Sequence, residues 1–111
     1  ARFITEAKAL GRASGLLVAT YGHAGDGNLH TNILYDSQAD RPRVDAAVRQ
    51  LMEIAVRLGG TITGEHGVGS AKKAFLALEQ ARPVIDLQRG LKHLLDPNGL
   101  LNPGKIFPDK A

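Results

Sequence analysis

The sequence predicts an α+β fold in which helices cover a small antiparallel sheet of two to three strands. Two apolar runs carry the sheet: residues 16–21 ("LLVATY") and residues 29–35 ("LHTNILY"). Each is short and bounded by glycine or polar residues, as buried strands are. Apolar residues at helical spacing on either side of these runs supply the covering layer. The length, 111 residues, fits one domain with a modest core and leaves no room for separate cofactor and substrate domains.

Taken in order, Phe3, Ala7 and Leu10, with Ile4 beside them, define a first helix over residues 2–12. The glycines at 11 and 15 are expected to break it. The loop between the two strands is short enough for a hairpin. Because strand side chains alternate, His30, Asn32 and Leu34 share one face of the second strand, and Thr31, Ile33 and Tyr35 the other. Asp40 or Arg41 caps the next helix, with Pro42 in its first turn. Its apolar stripe is Val44, Ala47, Val48, Leu51, Ala55 and Leu58, and Gly59-Gly60 stops it. Thr61-Ile62-Thr63 is β-prone and very short, a candidate third strand, and a glycine-rich loop follows over residues 64–69. Ser70 is expected to cap a brief helix carrying Ala74, Phe75 and Leu78. Pro83 opens the last helix, with Val84, Leu87, Leu91 and Leu94 along one side. Asp96-Pro97-Asn98-Gly99 fits a type I turn, and Asn102-Pro103-Gly104-Lys105 a turn of type II character. So few strands rarely make an independent sheet. The missing ones are expected from upstream sequence or from a second copy of the chain, which would make a homodimer.

Composition narrows the function classes. The chain has no cysteine, which excludes disulfides, thiolate catalysis and cysteine metal sites and suits a reducing, cytoplasmic setting. No apolar run is long enough to span a membrane. The net charge is +3, but the basic residues are scattered and aromatics make up only 5%, so nucleic acid is not an expected partner.

Chemistry concentrates in two stretches. "YGHAGDGNLH" ends one strand and begins the next, so His23 and His30 are expected to face each other across the neck of the hairpin. Imidazole nitrogen is the commonest protein ligand for zinc-like metals, and a catalytic site needs a third ligand, often a carboxylate. The other stretch, "TGEHGVG", sets Glu65 beside His66. Adjacent side chains in extended backbone point opposite ways, so one could bind a metal while the other faces a substrate. Plainer readings stand beside these. The first stretch also reads as a glycine-rich hairpin with incidental histidines, and the second as a strand-to-helix connection. Asp26 reads as bonding its own turn, Asn32 as a polar residue on a half-exposed face, and His93 as a surface residue. The glycines of residues 64–69 have phosphate-loop spacing, but Ser70 and Ala71 stand where lysine and a hydroxyl residue belong.

Together "GHAGDGNLH", "GEHGVG" and the terminal "LLDPNGLLNPGKIF" resemble the C-terminal part of FAD-linked oxidases of the vanillyl-alcohol oxidase superfamily. The similar branch holds glycolate oxidase D subunits, D-lactate dehydrogenases and D-2-hydroxyglutarate dehydrogenases. The resemblance runs from about Leu16 to Phe107. It implies a fragment of a ferredoxin-like cap domain and a flavin-contacting tail, with the FAD-binding domain lying upstream. It implies oxidation of a small D-2-hydroxy acid to the 2-keto acid. By the same resemblance His23, His30 and Glu65 hold a divalent, zinc-like metal, and His66 is the base. Asn32 contacts substrate, and Asn102 and Lys105 approach the flavin. The whole of residues 1–111 is then expected to be a C-terminal segment that is inactive without its FAD-binding domain. Two other functions fit the residues: a stand-alone metal-dependent hydrolase, and a non-catalytic oligomerisation or metal-binding module.

Overall fold

A computed structural model describes residues 1–108. The chain divides into two compact units, one ending at Glu65 and the other beginning at His66. The first contains helix α1 (Arg2–Ser14), strands β1 (Leu17–His23) and β2 (Asn28–Leu34), and helix α2 (Arg41–Arg57). The second contains α3 (Leu76–Glu79) and α4 (Arg82–Leu95). Among the described residues this is an α+β arrangement with one two-stranded antiparallel sheet.

Helix α1 does not break at Gly11, as expected from sequence, but runs through it. Gly11 is buried, and a Cβ there would stand 2.8 Å from Val18 Cγ2 and 2.9 Å from the Leu16 carbonyl oxygen. Its helix-propensity cost of about 1 kcal/mol is therefore exchanged for close approach of α1 to β1. The helix ends instead at Gly15, which takes the left-handed conformation at φ +63°. Leu16 then turns inward and joins Val44 and Ala47 of α2 in the core, with Leu10, Ile33 and Val48 packed around them. The buried side of α2 is Val44, Ala47 and Leu51, the stripe its sequence predicts. Asp40 stands at the helix cap, but its carboxylate takes Arg43 at 2.6 Å rather than a backbone amide.

Antiparallel pairing sets Val18 opposite Ile33 and Thr20 opposite Thr31 on the face that meets the core. The opposite face pairs Leu17 with Leu34, Ala19 with Asn32, Tyr21 with His30 and His23 with Asn28. This second face is open, with Leu17, Tyr21 and Leu34 exposed. The candidate third strand does not form. Thr61 Oγ1 accepts a hydrogen bond from the Thr63 amide at 3.5 Å, a local bond of the kind that competes with a ladder. Ile62 between them is 4% exposed and anchors the segment by burial.

In the second unit Ser70 caps nothing. It follows Gly69, whose φ of +54° turns the chain, and a 3₁₀ turn starts only at Lys73. Leu76 and Ile85 are the buried apolar residues here. The expected core stripe of α4 is exposed: Leu87 is 66% and Leu94 74% accessible, and Val84 and Leu91 in the same row are exposed too. The helix turns Ile85, Arg89, Lys92 and Asp96 inward instead, because the last two turns of chain fold back on that side. Arg89 Nη2 donates to the Pro108 carbonyl at 2.5 Å, and its guanidinium lies 5.5 Å from the Phe107 ring centre. Lys92 Nζ donates to the Leu101 carbonyl at 2.8 Å. The Asp96–Gly99 turn closes with a 3.1 Å bond from the Gly99 amide to the Asp96 carbonyl, as its sequence predicts. No helix among the described residues is long and apolar enough to cross a membrane.

Asp96 is the clasp of this unit. Its carboxylate is gripped by the Lys92 ammonium, and accepts from the amides of Leu101 at 2.9 Å and Leu100 at 3.0 Å. Chiefly through Lys92, and then the Leu101 amide, its pKa falls from the ordinary 3.8 to about 2. A depressed folded-state pKa means that the clasp stabilises above the ordinary value and is lost as pH falls from about 4 toward 2. The Asp96→Asn chain is therefore expected to melt below the parent at pH 7, with the gap closing as pH drops toward 2. Thermal unfolding across a pH series checks this, and a gap of constant size would count against the clasp.

Candidate functional site

The open face of the hairpin is where the candidate residues gather. His30 lies on β2, half-buried, with Asn32 two residues on along the same face and Tyr21 directly across. The Tyr21 and His30 rings stand 5.2 Å apart, tilted at 31°. The loop after α2 then delivers Glu65 to this face. Its Oε1 lies 3.1 Å from His30 Nε2. Two motifs far apart in the chain thus meet through one imidazole–carboxylate pair.

The register corrects one expectation. His23 does not face His30 across the neck of the loop. It faces Asn28, and Tyr21 faces His30. The two histidines are diagonal neighbours on one face, a relation that puts residues about 7–8 Å apart rather than in direct opposition. The cause is a four-residue turn, Ala24 to Gly27, that leaves two residues of β2 ahead of His30. The turn closes on itself by bonds from the Asp26 amide to the His23 carbonyl at 3.1 Å and from the Gly27 amide to the Ala24 carbonyl at 3.4 Å. Gly22 is needed for the strand pairing. Its φ is +137°, and a Cβ there would lie 2.5 Å from the Asn28 carbonyl oxygen.

His66 is exposed and follows Glu65 directly, opening the second unit. Asn102 and Lys105 belong to that unit and flank the Pro103-Gly104 turn, where Gly104 has the φ of +72° that a type II turn requires. Asn102 itself is left-handed at φ +47°, which asparagine tolerates. Ile106 is left-handed at φ +67°, a conformation β-branched residues avoid, and its amide donates to the Gly69 carbonyl at 2.7 Å. That bond ties the terminal turn to the end of the glycine-rich loop. Sequence reading passed over Lys72, whose part-buried ammonium has a pKa lowered by desolvation. It also passed over Asn28, whose only signal was its place within the motif that ends at His30.

A nitrogen and an oxygen donor converge at the His30–Glu65 pair, with side chains 25% and 47% accessible. That donor chemistry, reachable from solvent, fits a zinc-like divalent ion. The open hairpin face thus carries His30 and Asn32, with the Glu65 carboxylate brought to His30 by the loop after α2. The chain belongs to the FAD linked oxidases, C-terminal domain family, which its residues 1–106 match. It is similar to glycolate oxidase subunit GlcD of Bacillus subtilis (strain 168), 45% identical over 96 residues, covering 85% of this chain and 20% of the relative. It is 46% identical over 94 residues to a D-2-hydroxyglutarate dehydrogenase of Xanthomonas citri pv. viticola, covering 81% and 20%. It is 44% identical over 95 residues to the mitochondrial cytochrome-type D-lactate dehydrogenase of Kluyveromyces lactis, covering 86% and 16%. The chain thus spans a fifth or less of the length of these relatives.

Proposed function

We propose that this chain is the substrate-handling C-terminal portion of a flavin-dependent oxidoreductase that converts a small D-2-hydroxy acid to the 2-keto acid. The observation that carries the reading is the 3.1 Å approach of Glu65 to His30, which joins the two motifs at one point. The activities for which the three relatives are named supply the substrate class. In this reading His30, Glu65 and His23 hold a divalent metal, and His66 takes the substrate hydroxyl proton. Asn32, beside His30 on the same face, bonds the substrate. Asn102 and Lys105 approach the flavin. A bound metal supplies Lewis-acid polarisation of the hydroxyl, and bound FAD supplies a hydride acceptor. The partner is an FAD-binding domain, and the cysteine-free chain is assigned to the cytoplasm.

A domain exchange tests the reading. The C-terminal fifth of Bacillus subtilis GlcD is replaced by this chain, and dye reduction by glycolate, D-lactate and D-2-hydroxyglutarate is followed. The 111-residue chain alone is expected to reduce no dye, and the chimera to reduce it with at least one of these acids. A chimera that carries FAD at full occupancy yet oxidises none of them would overturn the proposal.

A further inference from the structure

Gly64 shows why Glu65 lands where it does. Its φ is not in the left-handed region, so its backbone does not call for glycine. Space does. A Cβ built there would collide with the Asn28 side-chain oxygen and lie 3.1 Å from Asn28 Cγ. Asn28 stands on the open face of β2, two residues before His30 and opposite His23. The loop is therefore seated at two neighbouring points: Ile62 is buried, and the bare Cα of Gly64 rests on the Asn28 amide. The next residue is Glu65, and its carboxylate meets His30 at 3.1 Å. The stop that fixes this approach is the Asn28 side chain, whose atoms are the three nearest to the Gly64 Cβ position.

We infer that Asn28 is a positioning residue: its side chain, fitted against the bare backbone of Gly64, sets the separation between His30 and Glu65 and hence the bite of the cation site. The separation is a property of the chain itself. Its consequence for cation binding rests on the metal-holding role proposed above.

The test is a size exchange on the 111-residue chain, comparing the parent with Gly64→Ala, Asn28→Ala and the double variant. The first readout needs no metal: nuclear Overhauser contacts between the His30 ring protons and the Glu65 side chain. They are expected in the parent, lost in Gly64→Ala, and restored in the double variant, where the shortened residue at 28 makes room for the added methyl. The second readout is zinc affinity by titration calorimetry. Supporting groups around metal ligands are typically worth 10–100-fold. Gly64→Ala is therefore expected to lose roughly 10–100-fold and the double variant to recover most of it. Amide exchange across the Thr20–Thr31 pairing serves as the fold check, and if Gly64→Ala fails it, Asn28→Ala alone decides, with weakened His30–Glu65 contacts expected. Unchanged contacts in Gly64→Ala, or a double variant no better than that single, would overturn the inference. A parent that shows the contacts but binds no zinc would sink the metal reading and leave the positioning role standing.

Discussion

Replacing His66 by alanine is expected to cut turnover of the GlcD chimera by about 10²–10⁴-fold while FAD content stays unchanged. That range is the usual worth of a positioned general base. Oxidation of a 2-hydroxy acid removes a proton from oxygen and a hydride from carbon, and the hydride cannot leave well while the oxygen holds its proton. His66 is suited to take that proton because it is exposed, sits next to Glu65, and carries an imidazole nitrogen that can accept one. Rapid-mixing measurement of flavin reduction by substrate isolates the step. If reduction in His66→Ala is as fast as in the parent chimera, His66 is not the base. If FAD is lost as well, the residue supports structure and the assignment fails in a different way.

The second large effect is on cation affinity. Glu65→Gln keeps the size of the side chain and a carbonyl oxygen but removes the charge, so it separates ligation from packing. Zinc binding is expected to weaken by more than about 100-fold, beyond what groups that merely support ligands contribute. His30→Ala should do the same, since it removes the other half of the 3.1 Å pair. His23→Ala discriminates between two ligand sets. A comparable loss makes His23 the third donor despite its diagonal placement, whereas parent-like affinity confines the site to the His30 side of the face. Calorimetry on the four chains reads all of this directly.

The hairpin, α2 and the two proline turns were legible in the sequence because each depends on neighbours a few positions away. Alternation picked out the face shared by His30 and Asn32, and helical period picked out Val44, Ala47 and Leu51. What local pattern could not reach was anything decided at a distance. Gly11 reads as a breaker until β1 is laid across it, and then it is the residue that lets the strand come close. Thr61-Ile62-Thr63 has strand propensity but joins no sheet among the described residues. The placement of His23 opposite Asn28 depends on turn length, a single-residue matter that composition does not settle. The motifs supplied the residue types of the candidate site. The means by which the 60s loop is seated, a buried Ile62 and a side-chain-free Gly64, appears only when the loop is seen against β2.

The leucine row of α4 shows the same limit from the other side: periodicity identified an apolar stripe, and the stripe is wet. A wetted row of that kind governs how the chain behaves in a tube. Its solubility ceiling, rather than its melting point, would set the concentration at which it can be handled. Because apolar association weakens on cooling, that ceiling would be higher in the cold room than on the bench.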